Sequence, residues 1–331
     1  MKIAAVDVFC GIGGLSYGFR QEGFDVRAGI DSDPSCRYAY EANIGADFIE
    51  ADVATLSGTK LKRLYEPRSK AYRVLIGCAP CQPFSIYTGR YKKAKQVDRR
   101  WHLLKEFGRL VVETRPDVVS MENVTRLKRH RVFNNFMKLL IAQGYHVSYA
   151  NVRAHHYGVP QRRTRLVLLA SLFGPINLPP PTHKSKPQTV KDAIAGLPPI
   201  KAGIPHAQDR LHVTRRLSKK NLLRLKSTKE GGSWKDWKSS LQLSCHKKVR
   251  GKTFRSVYGR MRWNAPSPVI TTQCLGIGNG RFGHPQQNRA ISIREAALLQ
   301  TFPRKFRFVA PHEPVIGLIC PSSEFSRQEA S

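Results

Sequence analysis

The sequence predicts an α/β protein with an open, doubly wound sheet, and its first residues carry the prediction. Residues 3–9 form a nearly continuous apolar run, which is typical of a buried strand. A glycine-rich turn follows at residues 10–14, and Leu15 and Phe19 then recur at helical spacing until Gly23 ends the helix. Strand, glycine turn and helix make up the first unit of a nucleotide-binding fold. The spacing Phe-x-Gly-x-Gly-Gly is not the Gly-x-Gly-x-x-Gly fingerprint, so a dinucleotide is not indicated.

Acidic residues stand at the ends of three successive predicted strands. Asp7 ends the first strand, Asp31 follows the strand at residues 26–30, and Asp52 follows residues 48–51. The carboxyl ends of parallel strands share one edge of a sheet, where ligands bind. Asp31 lies at the distance along the chain at which an acid reaches a pair of ribose hydroxyls. Asp52 could accept a hydrogen bond from an adenine amino group.

A proline-flanked cysteine follows the next predicted strand. The strand is the β-branched run at residues 74–76, and residues 77–85 read Gly-Cys-Ala-Pro-Cys-Gln-Pro-Phe-Ser. Prolines on both sides fix the backbone around Cys81, so a thiol is presented rigidly at a strand end. Such a thiol is a candidate nucleophile. The alternatives are a buried structural cysteine, or a redox or metal pair formed by Cys78 and Cys81; with Cys81 as the nucleophile, Cys78 is expected to be a core residue.

Two further segments place polar groups at strand ends. The buried strand at residues 118–121 ends in Glu122, a carboxylate in a catalytic location. Residues 161–165 lead into another apolar strand, and alternation predicts that Gln161, Arg163 and Arg165 point to one face.

A polar, basic segment at residues 87–100 lies between the proline–cysteine stretch and the next helix. It contains Arg90, Arg99 and Arg100 and has little apolar periodicity. An ordinary surface loop is one interpretation. Its charge beside the candidate nucleophile favours a lid that closes on phosphate.

The charge of the chain predicts a polyanionic partner. Lys and Arg number 56 and Asp and Glu 23, so the net charge is 56 − 23 = +33. The excess is concentrated: residues 201–262 carry 18 basic and three acidic residues, which is 18 − 3 = +15. Nucleic acid is favoured over a membrane surface. A proline linker at residues 179–181 introduces a basic, aromatic-interleaved region at residues 178–288, which is typical of a nucleic-acid-reading module.

Other patterns limit the location and the chemistry. Seven cysteines with one close pair do not suggest a disulfide framework, and neither a secretory signal nor a transmembrane-length run is visible. An intracellular location follows as the expectation. The adjacent His155 and His156 lack a Cys-x-x-Cys partner, so no metal is predicted. Ser292 and Glu295 form a capping box that should open a helix.

Taken together, these segments resemble the DNA cytosine-5 methyltransferases, over about residues 3–303. Five motifs occur in the order of that family: Asp-Val-Phe-Cys-Gly-Ile-Gly-Gly at residues 7–14, Pro-Cys-Gln at 80–82, Glu-Asn-Val at 122–124, Gln-Arg-Arg-Thr-Arg at 161–165, and Arg-Trp-Asn-Ala-Pro-Ser-Pro-Val-Ile-Thr-Thr at 262–272. The resemblance implies a Rossmann-like catalytic domain that binds S-adenosylmethionine, and a smaller, irregular target-recognition domain. It implies domains at residues 1–177 and 178–288, with residues 289–331 returning to the catalytic domain.

The resemblance also implies a reaction. The Cys81 thiolate would add to C6 of a flipped-out cytosine in duplex DNA, which makes C5 reactive toward the methyl group. Glu122 would hydrogen-bond N3 and Arg165 would hold O2, with Arg163 near the reacting base.

The remaining site residues are carried over position by position from the family pattern. The cofactor-binding residues implied are Phe9, Gly11, Ile12, Gly14, Asp31, Asp52, Val53, Pro80 and Leu103. The DNA-binding residues implied are Ser85, Arg90, Arg99, Arg100, Gln161, Arg260 and Arg262.

The C-terminus departs from the family pattern. The usual Gly-Asn-[Ala/Ser]-Val segment has no counterpart at residues 315–331, so weaker cofactor binding is expected. A DNA-binding relative with impaired catalysis therefore stays open, as does an RNA cytosine-5 methyltransferase; a thiol oxidoreductase is the remaining enzyme alternative. The expected partner is double-stranded DNA, acted on by a monomer in the cytoplasm or nucleoid, with a cognate restriction endonuclease as a further partner.

Overall fold

One sheet organises the first half of the chain. The computed structural model describes residues 2–65, 71–80, 102–249, 251–313 and 315. Within these residues seven strands form a single sheet in the order β3-β2-β1-β4-β5-β7-β6. The strands are β1 (Ile3–Val8), β2 (Asp25–Asp31), β3 (Asp47–Glu50), β4 (Tyr72–Gly77), β5 (Val118–Asn123), β6 (His146–Arg153) and β7 (Thr164–Ser171).

The direction of the strands confirms the predicted α/β, Rossmann-like fold. β1 pairs in parallel with β2 and β4, β2 pairs in parallel with β3, and β4 pairs in parallel with β5. β7 runs antiparallel to β5. The carboxyl ends of five strands therefore lie along one edge, which is where an open sheet of this type binds its ligands.

Helices cover both faces of the sheet, and alternation along β1 separates the two cores. Ala4, Val6 and Val8 pack into the larger core with residues of α3, α4 and α5. Ala5 packs on the opposite face with Leu15 and residues of neighbouring strands. The helices are α1 (Gly14–Gln21), α2 (Arg37–Ile44), α3 (Gly58–Tyr65), α4 (Leu103–Thr114) and α5 (Arg131–Ala142).

Asp7 is a fully buried acid on the α1 side of the sheet. Its Oδ2 accepts a 2.6 Å hydrogen bond from Ser16 Oγ, which lies 3.1 Å from Tyr40 Oη. Its Oδ1 has no partner among the described residues. Burial raises the pKa of Asp7 to about 7, and the hydrogen bond from Ser16 only partly opposes this. Gly29 makes room for the tyrosine, since a Cβ there would lie 2.2 Å from Tyr40 Cζ.

The raised pKa of Asp7 predicts a pH-dependent gain in stability for Asp7→Asn. The folded-state pKa lies above the usual value of 3.8 for an aspartate, so the stability from the protonated carboxyl is present below pH 3.8 and is lost as pH rises through 7. The asparagine stays neutral. Relative to the parent protein, its free energy of unfolding should therefore improve by about 2 kcal/mol between pH 5 and pH 8, measured by urea unfolding.

Asp25→Asn is the control, because this acid lies at the exposed start of β2, where it pairs with Arg27. Its effect should be the same at both pH values. An Asp7→Asn variant whose stability relative to the parent protein does not change between pH 5 and pH 8 would contradict the burial argument.

The chain divides into two compact units. The first comprises Met1–Val152 and Thr164–Pro180, and the second comprises Arg153–Arg163 and Pro181–Ser331. The described part of the second unit is built from short helices, 3-10 turns and isolated β-bridges. Its helices are α6 (Val190–Ile194), α7 (Lys219–Lys226), α8 (Ser244–Lys247) and α9 (Ile293–Leu298). No helix in the described ranges combines the length and the apolar character needed to cross a bilayer.

The second unit has an aromatic core of its own. Trp234 stacks on His246 with ring centroids 4.3 Å apart, and Tyr258 packs edge-on against Trp237. The indole of Trp237 donates a 2.7 Å hydrogen bond to Thr228 Oγ1. Some of the aromatic residues that alternate with basic residues in this part of the sequence therefore form the core of the second unit.

The unit boundaries differ from the expected domains in two places. The boundary after Pro180 lies close to the expected one, but Arg153–Arg163 belongs to the second unit. The region of α9 also belongs to the second unit, whereas the sequence analysis assigned it to a segment that returns to the catalytic domain. Backbone hydrogen bonds explain this: the N–H groups of Ile293 and Arg294 donate to the carbonyls of Val213 and Leu211.

The predicted capping box at α9 is confirmed. Ser292 Oγ accepts from Glu295 N at 3.0 Å, and Glu295 Oε2 accepts from Ser292 N at 2.7 Å. Glu295 also receives both terminal nitrogens of Arg289 at 2.7 Å, and each side chain of this pair is 1% exposed. Burial raises the pKa of Glu295, but the hydrogen bonds and the charge of Arg289 together outweigh this effect and keep the pKa below its usual value.

Candidate active site

The glycine-rich turn after β1 is fastened to the end of β2. Phe9 adopts a left-handed backbone with φ 65°, and its N–H donates to the Ile30 carbonyl at 2.8 Å. Gly11, with φ 50°, donates its N–H to Asp31 Oδ2 at 2.8 Å. The other oxygen of Asp31 accepts from Asp33 N at 3.0 Å. Burial raises the pKa of Asp31, and the hydrogen bonds from Gly11 and Asp33 oppose the shift.

The turn leaves space for a ligand. A Cβ built at Gly11 would meet no heavy atom within 4 Å. Each oxygen of the Asp31 carboxylate accepts one backbone N–H, from Gly11 or from Asp33, and retains a lone pair for a ligand hydroxyl. A carboxylate acceptor beside an open glycine turn fits the ribose end of a nucleoside cofactor.

The other residues implied for the cofactor all belong to the first unit. Ile12 packs against the small core of α2, and Gly14 is the first residue of α1. Asp52 is exposed and its Oδ1 accepts from Ala54 N at 2.9 Å, whereas Val53 is buried in the main core. Two of the implied residues are half-buried: Pro80, which follows β4, and Leu103, the first residue of α4.

The carboxylate of Glu122 lies against the guanidinium of Arg165. Arg165 Nε is 2.8 Å from Glu122 Oε1, and the two side chains are 21% and 25% exposed, so a ligand can reach both. Strand register explains the contact: Glu122 lies opposite Val167 in the antiparallel pair β5–β7. Arg165 is two residues from Val167 on the same face, which makes it the diagonal neighbour of Glu122. The structure thus brings together the two groups that the sequence assigned to one base.

Cys78 contacts the same carboxylate. Its Sγ lies 2.8 Å from Glu122 Oε2. The side chain is half-buried, so the expectation that Cys78 is a core residue is wrong. The register of the parallel pair β4–β5 carries the signal that was missed. Gly77 lies opposite Met121, so the residues that follow, Cys78 and Glu122, are neighbours.

Several predicted site residues lie outside the described residues. They are the nucleophile Cys81 and the predicted DNA contacts Ser85, Arg90, Arg99 and Arg100.

Gln161 is a buried structural residue of the second unit, which corrects the expectation that it contacts DNA. It is 1% exposed, its Oε1 accepts from Ile270 N at 3.2 Å, and its Nε2 donates to the Leu299 carbonyl at 3.4 Å. The expected common face of Gln161, Arg163 and Arg165 is also wrong. β7 begins at Thr164, and the chain turns before it, where Arg163 N donates to the Gln161 carbonyl at 2.8 Å.

Arg260 is also buried, which corrects the expectation that it contacts DNA. It is 4% exposed, and its guanidinium donates to the carbonyls of Thr228 at 2.7 Å, Leu225 at 2.9 Å, His284 at 2.8 Å and Gln287 at 2.6 Å. Its donors hold together two backbone segments, residues 225–228 and 284–287, so its guanidinium is taken up by the protein itself and does not face a duplex. Arg262, two residues on, is exposed.

Within the described ranges, the sheet order and the acids at its carboxyl edge define a Rossmann-like methyltransferase domain. A family model for C-5 cytosine-specific DNA methylases matches residues 3–319. The chain belongs to this family, and the predicted enzyme class, a DNA (cytosine-5) methyltransferase, is confirmed.

Two relatives support this assignment. The chain is 49% identical over 309 residues to the type II methylase M.HgiDII of Herpetosiphon aurantiacus, covering 92% of this chain and 86% of the relative. It is 32% identical over 322 residues to the type II methyltransferase M1.HphI of Haemophilus parahaemolyticus, covering 93% and 80%.

Solved structures agree on the fold. A crystal structure of a protein assigned as a prophage-encoded DNA modification methyltransferase of E. coli superposes with a TM-score of 0.70 at 25% identity, covering 93% of this chain and 90% of that one. The Dnmt2 methyltransferase of S. pombe gives 0.57 at 15% identity, over 93% and 88%.

Proposed function

We propose that this protein transfers a methyl group from S-adenosylmethionine to C5 of a cytosine in duplex DNA, as the modification enzyme of a type II restriction–modification system. The observation that carries the proposal is the Glu122–Arg165 pair, held at the carboxyl edge of the sheet of a C-5 cytosine-specific DNA methylase. The names of the two relatives support the restriction–modification setting and a cognate endonuclease as partner.

The pair suits one edge of a cytosine. When the Cys81 thiolate adds to C6, electron density moves toward the ring nitrogen N3 and the exocyclic oxygen O2, which lie side by side on one edge of the base. Glu122, carrying a proton, hydrogen-bonds N3, and the guanidinium of Arg165 holds O2. Both groups stabilise charge that develops in the transition state. After methylation the C5 proton leaves to a base and the Cys81–C6 bond breaks, which restores the aromatic ring.

The turn residues would hold the cofactor. Asp31 would accept the ribose hydroxyls, Phe9 and Gly11 would border the methionine end, and Asp52 and Val53 would contact the adenine. When bound, S-adenosylmethionine supplies an electrophilic methyl group. The reacting cytosine has to leave the base stack to reach this site, so the proposal includes base flipping.

The surface of the second unit supports DNA as the partner. Around α8, Val249 is 84% exposed and Phe254 60% exposed. The neighbouring Lys247, Lys248 and Arg255 are exposed and basic. Apolar side chains flanked by cations suit a groove lined by phosphates. We propose that this segment, together with Arg262, contacts the duplex.

Transfer of a labelled methyl group tests the function. The protein should label duplex DNA, and Cys81→Ser should abolish labelling. Duplex DNA with 5-fluorocytosine at the target should give a covalent adduct stable to denaturation, since the C5 fluorine cannot leave as the proton does. Bisulfite sequencing of DNA from expressing cells gives the target sequence. Labelling of RNA and not of DNA would favour the RNA methyltransferase. Tight DNA binding without labelling would favour the impaired relative.

Asp31→Ala is expected to weaken binding of S-adenosylmethionine by roughly tenfold or more, because it removes a charged acceptor for the ribose and releases the N–H of Gly11. Isothermal titration calorimetry measures the change. Asp25→Asn, at the other end of β2, is the control and should bind as the parent protein does. An unchanged dissociation constant for Asp31→Ala would remove Asp31 from the cofactor site.

A further inference from the structure

Both carboxylate oxygens of Glu122 have a partner in the first unit. Arg165 Nε lies 2.8 Å from Oε1, and Cys78 Sγ lies 2.8 Å from Oε2. The guanidinium alone would leave the second oxygen free to swing about the terminal torsion, which is broad for glutamate. The thiol fixes the orientation of the carboxyl plane.

The backbone around Cys78 holds the thiol in place. Gly77, the last residue of β4, is packed tightly: a Cβ there would lie 2.9 Å from Phe107 Cε2 and 3.0 Å from the Val8 carbonyl. On the other side, Asn123 Nδ2 donates to the Ala79 carbonyl at 3.0 Å. Cys78 is therefore anchored on both sides to strands of the sheet, and it presents its sulfur to the residue that precedes Asn123.

We propose that Cys78 is a positioning residue for the methyl transfer, whose S–H donates to Glu122 Oε2 and aligns that carboxyl group for N3 of the cytosine. This inference rests on the proposed function. A thiol is a weak donor that occupies one of the two lone pairs of Oε2, so the contact orients the carboxyl group and leaves room on that oxygen for the proton shared with N3. The thiol itself does not touch the base.

The role predicts a donor-dependent effect on the chemical step. Cys78→Ala removes the donor and should lower the single-turnover rate of methyl transfer about tenfold, which is about 1.4 kcal/mol in the barrier, because the carboxyl group keeps only its contact with Arg165. KM for DNA and for S-adenosylmethionine should stay unchanged, because the contact acts on Glu122 alone. Cys78→Ser retains a donor of similar size and should restore most of the rate.

The experiment measures single-turnover methylation of duplex DNA by rapid quench, from pH 6 to pH 9, for the parent protein and both variants. Asp25→Asn, at the exposed start of β2, is the control. Rescue by serine is the readout that loss of packing would not give, because alanine and serine both leave the space of the sulfur unfilled and only serine keeps a donor. If either variant fails to fold, Cys78→Thr and Cys78→Val give the same comparison at matched shape.

Each outcome either supports or overturns the positioning role of Cys78. A slow alanine variant with unchanged KM values, rescued by serine, supports the positioning role. Alanine and serine variants that are equally slow, or an alanine variant as fast as the parent protein, overturn it while the proposed function stands. If the parent protein methylates no cytosine in DNA, the proposed function fails and this inference fails with it.

Discussion

Glu122→Gln should lower the single-turnover rate of methyl transfer by about 10²–10⁴-fold, the range for loss of a group that moves or shares a proton in the transition state. Glutamine keeps the shape and an oxygen that Arg165 can hold. It has no acidic proton to give to N3 when negative charge develops on the ring. Binding of S-adenosylmethionine should be unchanged, because Asp31 and the glycine turn are untouched. Rapid-quench methylation and calorimetry on the same preparation separate the two effects.

Glu50→Gln is the matched control. This acid also ends a strand of the sheet, β3, but its carboxylate makes an exposed ion pair with Arg37. Its loss should leave the rate within a factor of two. A Glu122→Gln variant that keeps more than a third of the parent rate would show that N3 is not protonated by Glu122.

Glu295→Ala should destabilise the second unit by about 3–5 kcal/mol, the range for breaking a buried ion pair from one side. The guanidinium of Arg289 would remain buried without its counter-charge, and the N–H of Ser292 would lose its acceptor. Urea unfolding at pH 7, followed by tryptophan fluorescence, measures the change. Three of the four tryptophans lie in the second unit, at positions 234, 237 and 263, so the signal reports on this unit.

An exposed ion pair provides the control for the loss of the buried one. Glu41 and Arg37 pair one helical turn apart on α2 with side chains 46% and 43% exposed, so Glu41→Ala should cost less than about 1 kcal/mol. Arg289→Met combined with Glu295→Leu removes both buried charges and should recover much of the loss. If Glu295→Ala were as mild as Glu41→Ala, the buried pair would not be what holds α9 in place.

Local patterns were enough to predict the cofactor half of the sheet. The apolar strand at residues 3–9, the glycines after it and the acid Asp31 each act within a few residues of their neighbours along the chain. The structure joins the turn and the acid through the hydrogen bond from Gly11 to Asp31. The capping box of Ser292 and Glu295 is local in the same way.

Long-range pairing explains what the sequence did not predict. The turn before Thr164 depends on residues 267–270, which lie a hundred positions away, so alternation through Gln161 and Arg163 had no means of detecting it. Arg260 appeared to be one cation among many on a basic chain. It is buried because four carbonyls from distant segments converge on it, and no local pattern encodes that arrangement.

The discontinuous make-up of the second unit has a consequence for exchanging recognition modules between related enzymes. Arg153–Arg163 is inserted into the first unit along the chain, yet Gln161 bonds to Ile270 and Leu299. A chimaera joined only near Pro180 would separate these partners and combine mismatched surfaces. Viable recombinants need two grafts, the short segment together with the residues after Pro180, so a chimaera with a single breakpoint should unfold at lower urea concentration than one with both grafts.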